Sequence, residues 1–166
     1  MSDAPIVVVP YDVTWPALFE AERTQLEALL APWRRGPIEH IGSTAVVGLC
    51  AKPVIDVMAG VTSLVESMPA KAALVRAGYH YAPYKVEVMH WFCKPSFAMR
   101  THHLHLVPFE SALWHERLEF RDALRRDENV RAQYAALKLD LAARFEFDRE
   151  AYTDAKEPFI RRILAT

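Results

Sequence analysis

The chain has 166 residues, 52% hydrophobic and 25% charged, with a formal net charge of −1. That length suits one domain with a core that needs no metal or disulfide staple, and that composition excludes a disordered chain. A charge this close to zero gives no bulk attraction to nucleic acid or to an anionic membrane.

Cys50 and Cys93 belong to no CxxC pair, as expected for reduced thiols of a cytoplasmic protein. No basic flank followed by a long apolar run opens the chain, so no signal peptide is expected. The apolar stretches are too short for a membrane span.

In chain order, residues 6–9 are a β-branched run stopped by Pro10, either an edge strand or an extended arm. Thr14 is placed to cap a helix with Pro16 in its first turn. Leu18, Phe19, Glu22, Leu26 and Leu29 then recur every three or four residues until Pro32, which predicts one apolar face. Residues 38–41 predict a short strand, broken by Gly42-Ser43-Thr44, and residues 54–61 a second. Thr62-Ser63 is expected to cap a helix running to about Ala77 and stopped by Gly78.

Strands are expected over 79–81, 85–93 and 102–107, the last two joined as a hairpin around 94–100. Beyond Pro108 the pattern turns helical. Ser111 caps a helix carrying Leu113, Trp114, Leu118, Phe120 and Leu124. Further helices span about 130–147 and 152–164, the last with Pro158 inside it. The order predicts a single α/β (α+β) domain over 1–166, with a mixed β-sheet flanked by helices and a helical C-terminal third.

Candidate chemistry begins at Gly42-Ser43. A glycine after a strand lets the backbone turn sharply, and the hydroxyl and following N–H groups suit an anion. Asp56 stands in the apolar run Val54-Ile55-Asp56-Val57-Met58, sharing a face with Val54 and Met58. A carboxylate buried there must be paired, hydrogen-bonded or bound to metal. Lys52 could bring positive charge to the Ser43 turn, and His40 lies two residues before Gly42.

In Thr101-His102-His103-Leu104-His105, His103 and His105 share a face, where two imidazoles can ligate a metal or transfer protons. No third and fourth ligand of a structural zinc follows in sequence. The helical tail holds Arg117, Arg121, Arg125 and Arg126, then Lys138 and Lys156, the first three in a stripe spaced by four. It reads mostly as a solvated face with acidic partners, such as Asp122 with Arg126, while one or two could turn inward to phosphates.

The run His40-Ile41-Gly42-Ser43-Thr44-Ala45-Val46, with Gly48-Leu49 and Ala51-Lys52-Pro53-Val54-Ile55-Asp56-Val57, resembles the signature of the GrpB family. Tyr11-Asp12, Trp15-Pro16, Phe19 and Glu22 resemble its opening segment, and His103-Leu104-His105-Leu106-Val107 its HLHxV strand. Phe120-Arg121-Asp122, Leu124-Arg125, Tyr134, Leu137-Lys138, Tyr152, Lys156 and Phe159-Ile160 resemble its helical tail. The resemblance implies a nucleotidyltransferase-type sheet, in which a Gly-Ser turn binds triphosphate and acidic residues on the next strands hold divalent metal, Mg²⁺ or Mn²⁺. Ser43 then matches the phosphate-binding serine and Asp56 the first metal carboxylate. Met58 stands where a second carboxylate is usual, and His103 and His105 where a third is expected. Val47 replaces a common proline. The same domain type occurs fused to dephospho-coenzyme A kinase.

Three functions follow as expectations. In the first, an enzyme holds a nucleotide or other phosphorylated small molecule at His40, Gly42, Ser43 and Thr44, with Lys52, Arg100 or Lys138 neutralising phosphate charge. Asp56, His103 and His105 would hold metal and carry catalysis, passing a nucleotidyl group to a small acceptor. In the second, the same cleft belongs to an inactive nucleotide- or coenzyme-binding module linked to coenzyme A metabolism. The third is a metal-dependent hydrolase using His40, Asp56, His103 and His105. No aromatic-and-basic stripe suggests nucleic acid as a partner.

Overall fold

The computed structural model describes residues 4–166; residues 1–3 of the expected 1–166 domain lie outside it. The elements run α1 (Trp15–Leu29), β1 (Arg34–Ile41), a 3₁₀ turn (Ser43–Ala45), β2 (Ile55–Val61), α2 (Ala70–Arg76), β3 (His80–Ala82), β4 (His90–Pro95), β5 (Arg100–Pro108), α3 (Ala112–Arg126), α4 (Glu128–Arg144) and α5 (Arg149–Leu164). The strands form one sheet in the order β1-β2-β5-β4-β3. Only the central pair, β2 and β5, is parallel, so the sheet is mixed, as the sequence predicts. No helix among the described residues is long and apolar enough to cross a membrane.

Strand β2 is apolar nearly throughout because both of its faces are covered. Ile55, Val57 and Ala59 join Leu104, Leu106 and Phe92 under Trp15, Phe19 and Leu26 of α1 and Ala70 and Leu74 of α2. On the other face Met58 packs with Trp91, Cys93 and Val107 against Trp114 of α3. The three C-terminal helices form the second layer there, joined by Leu124, Tyr134 and Phe159.

Four local expectations change. Thr14 precedes α1 but makes no side-chain cap; its N–H and hydroxyl both donate to Asp12 Oδ1. The helix expected after Thr62-Ser63 forms only from Ala70. Residues 64–69 instead fold as turns, with Ser63 Oγ accepting the Glu66 N–H, and Pro69 has no N–H to extend a helical ladder. The strand expected from residue 85 starts at His90, because Lys85 adopts φ +47° and its carbonyl accepts the Val88 and Met89 N–H groups. Strand β1 begins four residues early, with a bulge between Arg35 and Ile38 where Gly36 at φ +68° faces the Phe109 ring. The 6–9 run is an arm bridged at Val9 to Ala51.

A charged network pins α1 to the sheet. Glu22, buried on the inner face of α1, accepts hydrogen bonds from the Tyr79 hydroxyl and, at 2.6 Å, from Lys94 Nζ, with His102 Nε2 at 3.7 Å. His40 lies on the same side of the sheet, stacked on Phe19 at 4.6 Å, its Nε2 2.9 Å from Thr44 Oγ1. Burial pushes His40 down to about 4. The folded state therefore binds fewer protons than the unfolded one between about pH 6.5 and 4, and stability is lost as pH falls through that window. The loss attributable to His40 is about 3 kcal/mol at most, and His40→Gln is expected to flatten that part of the denaturant-midpoint-versus-pH curve. An unchanged slope would assign the acid sensitivity elsewhere.

Candidate functional site

Parallel pairing of β2 with β5 sets Asp56 directly opposite His103, and Met58 opposite His105. All four side chains share the face beneath α3, α4 and α5. Asp56 Oδ1 lies 3.0 Å from His103 Nδ1 and 3.5 Å from His105 Nε2. Burial alone would raise the Asp56 carboxyl, but hydrogen bonds from His103 and His105 override it and hold the group well below the usual carboxylate range. Burial lowers His105 against the opposing pull of Asp56, which favours a neutral imidazole.

Gly42 closes β1 against this cluster. Its φ of +73° belongs to the region that side chains rarely enter, and a Cβ there would lie 2.6 Å from Asp56 Oδ2. The residue is glycine because Asp56 occupies the space. Ser43 follows in the 3₁₀ turn, its side chain facing the Tyr134 hydroxyl of α4.

Between this sheet face and the helical layer lies a cleft of about 560 Å³, lined by Ser43, Asp56, His103 and His105 on one side and by α3, α4 and α5 on the other. Its walls carry Lys52, Arg117, Lys138 and Lys156, with Glu150, Asp154 and Glu157 of α5 also in the lining. Lys138 is buried and donates to the Cys50 carbonyl. Burial, with Lys52 nearby, lowers it to about 8. Lys52 and Lys156 lie 4.9 and 4.4 Å from the centre of the Tyr152 ring. The half-buried Lys156 ammonium has no hydrogen-bond or ion-pair partner among the described residues. Burial and then Lys52 push it down to about 7. Among the described residues, Arg117 Nε is buried without a hydrogen-bond partner.

The structure thus brings together Asp56, His103, His105, Gly42, Ser43, Lys52 and Lys138. It also places Arg100 in the lining of the cleft, 5.2 Å over the Trp91 ring. It does not bring His40 to the cluster: adjacent strand residues face opposite ways, so His40 points under α1 while Ile41 faces the cleft. The Thr44 hydroxyl is occupied by His40 and the Val54 carbonyl. The four-residue hydrolase set is therefore not assembled.

Of the arginine stripe, Arg117 turns to the cleft. Arg121 instead binds Glu39, Asp122 and the His40 carbonyl, and Arg125 binds the Ala45 carbonyl. Asp122 pairs with Arg121 rather than with Arg126. Sequence reading did not name Tyr134 and Tyr152 as site residues, and it left Arg117 and Lys156 among the helical-tail cations of which one or two could turn inward. A signal exists for most of them: Tyr134-x₃-Lys138 and Tyr152-x₃-Lys156 each place a lysine one turn after a buried tyrosine, on a helix's inner face.

A family model described as GrpB protein matches residues 5–166. The chain is 32% identical to the "Glutamate-rich protein GrpB" of Alkalihalophilus pseudofirmus, over 96% of this chain and 94% of that protein. It is 39% identical to a UPF0157 protein of Pseudomonas aeruginosa, over 98% of this chain and 67% of that one. It is also 30% identical to a dephospho-CoA kinase of Mycolicibacterium paratuberculosis, of which it spans 45%. Among solved structures, GrpB from Enterococcus faecalis superposes with a TM-score of 0.84 at 30% identity, over 95% of this chain and 94% of that one. The Cid1 poly(U) polymerase with Mg 3'-dATP bound superposes with a TM-score of 0.59 at 11% identity, over 89% of this chain and 49% of that one. That last likeness concerns the fold alone.

Proposed function

The chain belongs to the GrpB family, and on that premise we propose that it is a nucleotide-handling protein of the nucleotidyltransferase kind, holding the phosphates of a nucleotide or other phosphorylated small molecule in the cleft beneath the C-terminal helices. The observation that carries this reading is the Lys156 ammonium, which has no hydrogen-bond or ion-pair partner among the described residues and stands over the Tyr152 ring beside Lys52, Lys138 and Arg117 in one cavity. Cations gathered in a half-buried cleft disfavour one another's charge. A phosphate chain offsets that repulsion and accepts their N–H donors in charge-assisted hydrogen bonds. Gly42 lets the backbone come close to such a ligand.

In transfer of a nucleotidyl group, Lys52, Lys156 and Arg117 would neutralise charge on the phosphoryl oxygens. Asp56 would orient His103 and His105, a neutral imidazole would take the proton of the acceptor hydroxyl as its oxygen bonds to the α-phosphorus, and the Pα–O bond to pyrophosphate would break, releasing pyrophosphate. The fold family implies paired Mg²⁺ ions at this point. The residues do not fit such a pair, because among the described residues Asp56 is the single carboxylate of the cluster.

Calorimetry with nucleoside triphosphates tests the binding. Lys156→Met is expected to weaken triphosphate binding at least about tenfold, in line with losing a charged hydrogen bond worth roughly 1.5–3 kcal/mol. Lys156 is near 7 in the free protein, and an anion beside it raises that value, so binding takes up a proton. Affinity should then fall as pH rises from about 7 to 9, and the slope should shrink in Lys156→Met. A flat profile together with an unaffected variant would sink the reading.

Met58 favours a second reading, a binding or accessory module without turnover. The dephospho-CoA kinase relative supports coenzyme A metabolism as its setting. Pyrophosphate release with a metabolite pool, lost in Asp56→Ala, marks transfer; tight binding without release marks the module.

A further inference from the structure

The donor set around Asp56 disagrees with the metal its fold family uses. Two hard Mg²⁺ ions held close together need several anionic oxygens. Here one carboxylate meets two imidazoles. Met58, on the strand face where a second carboxylate would stand, is fully buried with Ile41, Met89, Trp91, Cys93 and Trp114. We infer that Asp56, His103 and His105 form a site for a single transition-metal dication of the Mn²⁺-to-Zn²⁺ series, in place of a Mg²⁺ pair.

The geometry suits it. One donor atom from each residue lies within 4.8 Å of the other two, and two of the separations from Asp56 Oδ1 are 3.0 and 3.5 Å. Metal–ligand bonds of about 2.0–2.1 Å place neighbouring donors roughly 3–3.4 Å apart, so an ion fits with small side-chain adjustments. All three residues stand on the two central strands of the sheet, which hold them more firmly than loops would. Imidazole is a ligand for Zn, Fe, Ni and Cu, whereas Mg²⁺ takes oxygen. Three protein donors also leave positions open, and these face the lysine-lined cleft, the arrangement of a metal site that accepts water or a ligand. The inference stands on the donor set and does not depend on the phosphate reading.

Metal-stripped protein, with no nucleotide present, is to be titrated with Mn²⁺, Co²⁺, Zn²⁺ and Mg²⁺ by calorimetry and by tryptophan fluorescence. The Trp91 ring lies 5.1 Å from the His103 ring, so Co²⁺ at the site should quench it. Quenching should disappear in Trp91→Phe while calorimetric binding persists. One ion per chain is expected, with Zn²⁺ bound on the order of 100-fold tighter than Mg²⁺ and Mn²⁺ weakest of the three transition metals. The near-isosteric Asp56→Asn and His105→Gln, with melting temperatures recorded, should each weaken Zn²⁺ at least about tenfold. Two ions per chain, Mg²⁺ within about tenfold of Zn²⁺, no binding of any ion by the wild-type protein, or binding indifferent to both variants would overturn the inference. Because no nucleotide enters the titration, failure here is distinct from failure of triphosphate binding.

Discussion

Gly42→Ala is expected to disable the site while leaving a folded protein. The backbone there has φ +73° and ψ −174°, a region essentially restricted to glycine, where strain costs about 1–3 kcal/mol. The new methyl would also sit 2.6 Å from Asp56 Oδ2, so the turn or the carboxylate must move. At about 2 kcal/mol the melting temperature falls by roughly 4–8 °C, readable by calorimetric scan. The larger effect is on geometry: Asp56 displaced from His103 and His105 would lose the metal donors, and a shifted Ser43 turn would lose the anion-binding backbone. Zn²⁺ titration of Gly42→Ala is expected to give at least a tenfold loss, about 1.4 kcal/mol. Wild-type affinity in that variant would mean that Gly42 serves only the turn.

Glu22→Ala is expected to cause the largest loss of stability among polar substitutions in the α1-facing core. Glu22 accepts from Tyr79 and Lys94 and lies near His102. Removing it strands the Lys94 ammonium and the Tyr79 hydroxyl in a largely buried pocket. Breaking one partner out of a buried pair costs about 3–5 kcal/mol, and because the Lys94 side chain retains 20% exposure the lower end applies, about 3 kcal/mol. Urea unfolding should show the midpoint shift without a changed slope. Glu22→Ala combined with Lys94→Met and Tyr79→Phe should recover much of the loss, since the stranded groups are then gone. A triple variant no better than the single would mean that packing of Glu22's methylenes, not its charge, was lost. His102 neighbours His103 on β5, so this network also fixes the strand that carries two site residues.

Most of the fold was legible because its signals are local. Ser111 caps α3 by accepting the Trp114 N–H, the three C-terminal helices follow their apolar periodicity, and the β4–β5 hairpin falls where Pro95 and Ser96 interrupt the alternation. The misreadings came from competing local chemistry. Lys85 takes a positive φ inside a run that alternates like a strand. Asp12 binds Thr14 more readily than Thr14 caps α1. Gly36-Pro37 hides the first half of β1, because neither residue resembles strand although the bulge accommodates both.

The site divides the same way. Asp56 was legible because a carboxylate in an apolar strand needs a partner, and the two-residue period put His103 and His105 on one face. Residue order alone was enough for the family, the mixed sheet with its helical tail, and which residues of each strand look the same way. It could not determine that β2 lies beside β5 with Asp56 in register with His103, since strands separated by some forty residues of chain choose partners through the packed core. Nor could it determine that His40 faces α1, that Arg117 faces the cleft while Arg121 is tied to β1, or that Lys156 meets Asp56's cleft. Those depend on how the α3–α5 layer settles on the sheet, and that placement is set by burial of Trp114, Leu124, Tyr134 and Tyr152 rather than by any local preference of the charged residues it carries.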